Sequence, residues 1–125
     1  MNFPQDLKYT KDHEWVKIDG DIATIGITEF AAGELGDIVY VEVETIGDSF
    51  EPGEVFGTVE AVKTVSDLFM PLSGEILELN SELEANPELV NESPYEEGRM
   101  IKVKISGDLP GDLLTAEEYG ELVGN

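Results

Sequence analysis

Apolar runs of strand length, broken by Gly, Pro and Asp, recur along the chain from residue 14 to residue 79. The segment EWVKIDGDIATIGI, residues 14–27, carries two β-prone runs about an Asp19-Gly20 turn, a strong local signal for a hairpin. TEFAAGELG, residues 28–36, reads instead as a short helix: Thr28 can cap it, Glu29 suits its first turn, Ala31 and Leu35 share a face, and Gly36 can end it. DIVYVEV, EVFGTVEAV, TVSDLFM and GEILELN follow, each the length of one strand, with IGDSFEPG and PLSG as breaks. Such regular spacing predicts a β-sandwich or barrel. SELEANPELVNESPYEEG, residues 81–98, is polar and interrupted by Pro87 and Pro94, which predicts an ordered connecting loop. RMIKVKI returns to strand character. DLLTAEEYGELV, about residues 112–123, predicts a terminal helix with Thr115 and Glu118 at capping-box spacing and Leu114, Tyr119 and Leu122 as its apolar stripe.

At 125 residues and 41% hydrophobic content the chain reads as one domain, residues 1–125, with a real core. It has no cysteine, so disulfides, thiolate nucleophiles and thiolate metal sites are out of reach. Neither a basic-then-apolar leader nor a long apolar span is visible, which leads to the expectation of a soluble, cytoplasmic protein, or a mitochondrial-matrix one if a leader was removed. Charge adds more: 28 acidic residues against 7 basic ones give a net charge of -21. Direct binding to nucleic acid or to an anionic membrane needs the opposite sign, so partners with basic surfaces are favoured.

Within the acidic, strand-rich pattern one lysine stands out. GTVEAVKTVSDLFMP, residues 57–71, reads as two strands with a tight reversal at Lys63-Thr64, in a hairpin spanning about residues 54–70. That tip lacks the Asn-Gly, Asp-Gly or Gly-X pairs that two-residue loops prefer. It also sets Val62 opposite Val65, Ala61 opposite Ser66 and Glu60 opposite Asp67, the last a like-charge pair. A lysine acting as base or Schiff-base nucleophile needs a depressed pKa, whereas acidic neighbours hold the ammonium charged. Intrinsic lysine catalysis is therefore disfavoured. A projecting tip does suit acylation by a separate enzyme, set against the ordinary reading of a solvated turn lysine.

Other residues carry weaker signals. His13, the single histidine, beside Glu14 is too few ligands for a metal site. Glu14 reads first as a solvated carboxylate. Trp15 and Tyr95 read as packing residues, and Gly36, Gly57 and Gly74 as turn, close-packing or bulge positions.

The segments LKYTKDHEWV, ATIGITEFA, LGDIVYVEV, VEAVKTVSD, SGEI, NPELVNESPYEEG and LLTAEEY, in this order, make the chain resemble the H-protein family of the glycine cleavage system over nearly its whole length. The resemblance implies a flattened β-barrel or sandwich of the lipoyl-domain (biotinyl/lipoyl carrier) type, mainly β, with short added helices. It implies lipoate in amide linkage to Lys63, with Glu60, Val62, Thr64 and Asp67 forming the recognition surroundings. It also implies a non-catalytic carrier. P protein (glycine decarboxylase) loads the aminomethyl group, T protein (aminomethyltransferase) takes the carbon, L protein (dihydrolipoyl dehydrogenase) reoxidises the arm, and lipoate-attaching enzymes install it. A carrier that moves a reactive group must shelter it, and Glu14, Phe30, Ala31 and Leu35 are the candidate cleft, with Glu14 or Asp67 as counter-charge. Bulk added at Ala31 or Ala32 would block that cleft. Many relatives have Ser where Ala61 stands and His where Phe30 stands. Three alternatives are a carrier that relays lipoate to other enzymes, a biotinyl carrier, and an unmodified acidic interaction domain. Biotin carriers usually flank the lysine with methionine, whereas Val62 and Thr64 stand here.

Overall fold

A computed structural model describes residues 3–43 and 46–124. Among these described residues nine strands and four short helices follow one another in the order β1 (Lys8–Tyr9), β2 (Glu14–Asp19), β3 (Ile22–Ile27), α1 (Glu29–Leu35), β4 (Ile38–Val43), β5 (Ser49–Phe50), β6 (Val55–Ala61), β7 (Val65–Phe69), β8 (Gly74–Leu79), α2 (Glu82–Ala85), α3 (Leu89–Glu92), β9 (Ile101–Ile105) and α4 (Ala116–Leu122). They form two antiparallel sheets, one in the order β1-β2-β3-β9-β8-β5 and one in the order β4-β6-β7. The result is a mainly-β open sandwich, as the strand spacing predicts.

The alternation of strands decides what lies between the sheets. In β2 and β3, Val16 pairs with Ile25 and both are buried, while Lys17 on the next step is exposed. Ala23, Ile25, Val103, Ile76, Phe56, Val59 and Leu68 meet them in the main core. A second cluster of Leu7, Tyr9, Trp15, Ala116 and Tyr119 covers the other side of β1 and β2 and seats α4. Burying large aliphatic and aromatic side chains contributes roughly 1.5–3 kcal/mol each, so these two clusters hold the sandwich and the terminal helix in place.

The helix signals are obeyed where they are local. Thr28 accepts a hydrogen bond from the Ala31 N–H, Glu29 sits in the first turn, and Gly36 closes α1 at φ 84°. Thr115 and Glu118 make the reciprocal capping box at α4. That helix begins at Ala116, shorter than the expected 112–123 segment, because Leu114 is used in a bridge to Tyr9. Of the expected apolar stripe, Tyr119 is buried and Leu114 packs partly buried against the same cluster, whereas Leu122 is 53% exposed. Residues 81–98 are not a loop throughout: α2 and α3 each form about one turn, anchored by buried Leu83 and Val90. The first hairpin turns at Gly20-Asp21, one residue later than expected, with Asp19 facing Ile22 and Gly20 at φ 65°. Among the helices of the described residues, none is long and apolar enough to cross a membrane.

Candidate functional site

The Lys63 hairpin is built differently from its expected register. Glu60 faces Val65, Val59 faces Ser66 and Thr58 faces Asp67, so the like-charge pair of Glu60 and Asp67 does not form. The two-residue tip is Val62-Lys63, closed by the Ala61 N–H donating to the Thr64 carbonyl at 2.8 Å. The reason lies outside the hairpin. The Val62 N–H donates to the Asp37 carbonyl at 3.1 Å, fastening the tip to the turn between α1 and β4. Asn91 on α3 grips that same turn, donating from Nδ2 to the Gly36 carbonyl at 2.8 Å and accepting the Ile38 N–H at 2.9 Å. Gly36 lies under Lys63: a Cβ added there would sit 3.4 Å from Lys63 Cε. Lys63 itself is exposed, with exposed Val62 and Val65 beside it.

Next to the tip a cleft of about 270 Å³ opens between α1 and β7. Its apolar lining is Ile27, Phe30, Ala31, Leu35, Val59 and Leu68; its polar lining is Asp12, His13, Glu14, Glu34, Ser66 and Asp67. The expected cleft residues Glu14, Phe30, Ala31 and Leu35 thus meet in one cavity together with Asp67. Glu60, Val62 and Thr64 do not line it; Glu60 faces solvent on the strand beside Tyr40. Ala32 points into the main core rather than into the cleft.

Glu14 departs most from expectation. It is 2% exposed, not solvated. It shares the inner face of β2 with Val16, and the period-two run Glu14, Val16, Ile18 is the signal that could have shown this. Its carboxyl accepts the Thr10 hydroxyl at 2.7 Å and the Phe69 N–H at 3.4 Å. Burial pushes its pKa up to about 8, with Asp12 adding to the rise and those two hydrogen bonds opposing it. A carboxyl held neutral in such a place ionises when a cation is brought beside it. Asp12, Glu34 and Asp67 around the same cavity add negative potential, so a cationic group on an apolar stem is the ligand class this cleft suits.

His13 adopts a left-handed backbone at φ 71°, and its Nδ1 lies 2.8 Å from the Tyr119 hydroxyl. Burial lowers its pKa, against Asp12 and Glu34. Among the described residues no group of three His, Cys, Asp or Glu could hold a metal ion. Trp15 and Tyr95 pack as expected: the Trp15 Nε1–H donates to the Pro94 carbonyl at 2.9 Å, and the Tyr95 hydroxyl accepts the Glu29 N–H at 3.1 Å. Sequence reasoning missed Asn91 as a support of the tip and Tyr119 as a hydrogen-bond partner of His13 and Thr28; Glu34 was detectable from its spacing to Phe30 and Ala31 on one helix face.

An exposed lysine on a hairpin tip of a two-sheet open sandwich, with an anionic cleft beside it, defines the class as a small β-domain of the lipoyl-carrier type. The family model described as glycine cleavage H-protein matches residues 7–125. The chain is 58% identical over 124 residues to a glycine cleavage system H protein of Bacteroides thetaiotaomicron, covering 98% of each, and 56% identical over 125 residues to that of Staphylococcus carnosus, covering 99% of each. Its fold matches the crystal structure of a glycine cleavage system H protein from Mycobacterium marinum with a TM-score of 0.92 and 40% identity, over 98% of this chain and 100% of that one. The chain belongs to the glycine cleavage H-protein family.

Proposed function

We propose that the 125 residues form one carrier domain of the glycine cleavage system, with lipoate attached to Lys63. The single observation that carries this reading is the position of Lys63: exposed on a tip that is fastened from below, beside a cleft with apolar walls and buried Glu14. Lipoate held at Lys63 would supply a disulfide able to accept an aminomethyl carbon from P protein and a dithiol that T protein would leave for L protein to oxidise. The residues fit that group. Ile27, Phe30, Leu35, Val59 and Leu68 offer an apolar bed to its hydrocarbon stem, and Asp67 offers negative charge to an ammonium, joined by Glu14 once that cation draws off its proton.

Each part of the chain has a separate task. Asn91 and Asp37 hold the tip so that enzymes meet Lys63 in one geometry. Phe30, Ala31 and Leu35 keep water from whatever rests in the cleft, which matters because an exposed carbon–nitrogen link of this kind is open to hydrolysis. The chain performs no catalysis of its own; tethering raises the effective concentration of the carried group at each partner in turn. The partners are P, T and L proteins and the lipoate-attaching enzymes, and the compartment is the cytoplasm.

The test is intact mass together with glycine-dependent carbon dioxide exchange by P protein, for the native chain and Lys63→Arg. A lipoyl increment and exchange activity are expected for the native chain and for neither in the variant. Lipoyl mass surviving in Lys63→Arg, or a biotinyl increment at Lys63, would overturn the reading.

A further inference from the structure

We propose that the hydroxyl of Tyr119, on the terminal helix and outside the cleft, fixes the start of α1 against the turn before β2, two sides of the cleft, across a single oxygen. The proposal rests on the reading of the cleft as a shelter for the carried group. Tyr119 is fully buried, and its hydroxyl lies 2.8 Å from His13 Nδ1 and 2.8 Å from Thr28 Oγ1. These two neighbours face each other just beyond the Glu14–Ile27 pair of the first hairpin, where two sides of the cleft diverge. His13 sits in the turn that brings Asp12 and Glu14 to the cavity; Thr28 caps the helix that brings Phe30, Ala31, Glu34 and Leu35 to it.

One arrangement of protons satisfies all three groups. Thr28 Oγ1 accepts the Ala31 N–H, the Thr28 hydroxyl donates to the Tyr119 oxygen, and the Tyr119 hydroxyl donates to Nδ1 of a neutral His13. Burial keeps His13 neutral, and it pushes Tyr119 up to about 12, so the phenol remains a donor across the physiological range. A protonated His13 would reverse the chain and leave the buried Thr28 hydroxyl proton without an acceptor among these groups. The backbone adds a parallel tie, since the Thr28 N–H donates to the His13 carbonyl at 3.0 Å.

His13 holds a positive φ of 71°, a conformation that a non-glycine residue keeps only where its surroundings impose it. Here the His13 N–H donates to the Thr10 carbonyl at 3.1 Å, its ring meets Phe30 at 5.2 Å, and the Tyr119 hydroxyl holds its Nδ1. The Tyr119 ring is held independently, stacked on Tyr9 at 4.9 Å and edge-on to Phe3 at 5.0 Å. Removal of the oxygen alone therefore leaves the ring packed and the backbone tie in place but takes away the side-chain bridge between His13 and Thr28.

Tyr9 provides the matched control. It is as deeply buried, and its hydroxyl donates to the Pro4 carbonyl at 2.6 Å, with no link to the cleft. The experiment compares Tyr119→Phe with Tyr9→Phe in the full chain. In unmodified protein, amide hydrogen exchange at Thr28, Ala31 and Ala32 should quicken at least tenfold in Tyr119→Phe and stay unchanged in Tyr9→Phe. In carrier loaded through P protein, release of formaldehyde and ammonia, which consumes one water and leaves the thiol, should quicken in Tyr119→Phe alone. Equal exchange at these amides in the two variants would overturn the proposal, because Tyr119 would then be a packing residue only. Faster exchange with unchanged release supports the bridging role and instead removes the shelter reading of the cleft.

Discussion

The backbone N–H of Val62 reaches the carbonyl of Asp37 at 3.1 Å, so the hairpin tip is held by a turn that Asn91 in its own right holds with two hydrogen bonds. Asn91→Ala leaves the Gly36 carbonyl and the Ile38 N–H without those partners. The expected loss is about 1–3 kcal/mol of stability, read as a lower urea midpoint at unchanged slope. Acylation of Lys63 should slow as well, since the tip is no longer fixed. An unchanged midpoint would show that this clamp is dispensable.

Glu14 links stability to pH with a definite sign. Its carboxyl is neutral in the fold up to about pH 8 but ionises near 4.5 in the unfolded chain, so the folded state binds the proton more tightly. Stability contributed by neutral Glu14 is present below pH 4.5 and is lost as pH rises to 8, at a slope of at most about 1.4 kcal/mol per unit. Glu14→Gln should flatten the pH dependence of the urea midpoint in that window, whatever its offset. Parallel curves for the two proteins would contradict the assignment.

Ala31 and Ala32 are neighbours in α1 with different fates. Ala31 lines the cleft, while Ala32 is 4% exposed in the main core. Ala31→Trp should fold and be acylated at Lys63, yet release formaldehyde from loaded carrier at a rate near that of unfolded protein. Ala32→Trp should lose about 1–3 kcal/mol by overpacking. Circular dichroism melts and release assays on both variants distinguish the two positions.

A net charge of -21 should steer encounters with basic partner surfaces. The Debye length falls to about 10 Å at 0.1 M salt, so the association rate with T protein should drop with ionic strength while dissociation changes less. Stopped-flow measurements between low and moderate salt check this. A flat on-rate would make the acidic surface a solubility feature.

Thr28, Gly36, Thr115 and Glu118 were legible in the amino-acid sequence because their hydrogen bonds close within three or four residues, and local chemistry suffices to place them. Strand spacing likewise specified a sandwich, and the motifs around Lys63 specified the family. Glu14 lay at the boundary: its period-two relation to Val16 marks the inner face, but only the packing of β7 and α1 over it turns that face into a cleft. The hairpin register needed the tertiary structure outright. Turn preferences alone did not choose between Lys63-Thr64 and Val62-Lys63; the hydrogen bond from Val62 to Asp37 goes with the second. Asn91 reaches Gly36 across 55 residues and Tyr119 reaches His13 across 106, and no periodicity records such pairings. Sequence by itself thus determined most of the elements and the family and singled out Lys63, because each rests on short-range chemistry or on motifs read in order. Which polar side chains fasten the tip and bridge His13 to Thr28 was decided by chain closure, because hydrogen bonds between distant residues exist only once the two sheets and the terminal helix have packed.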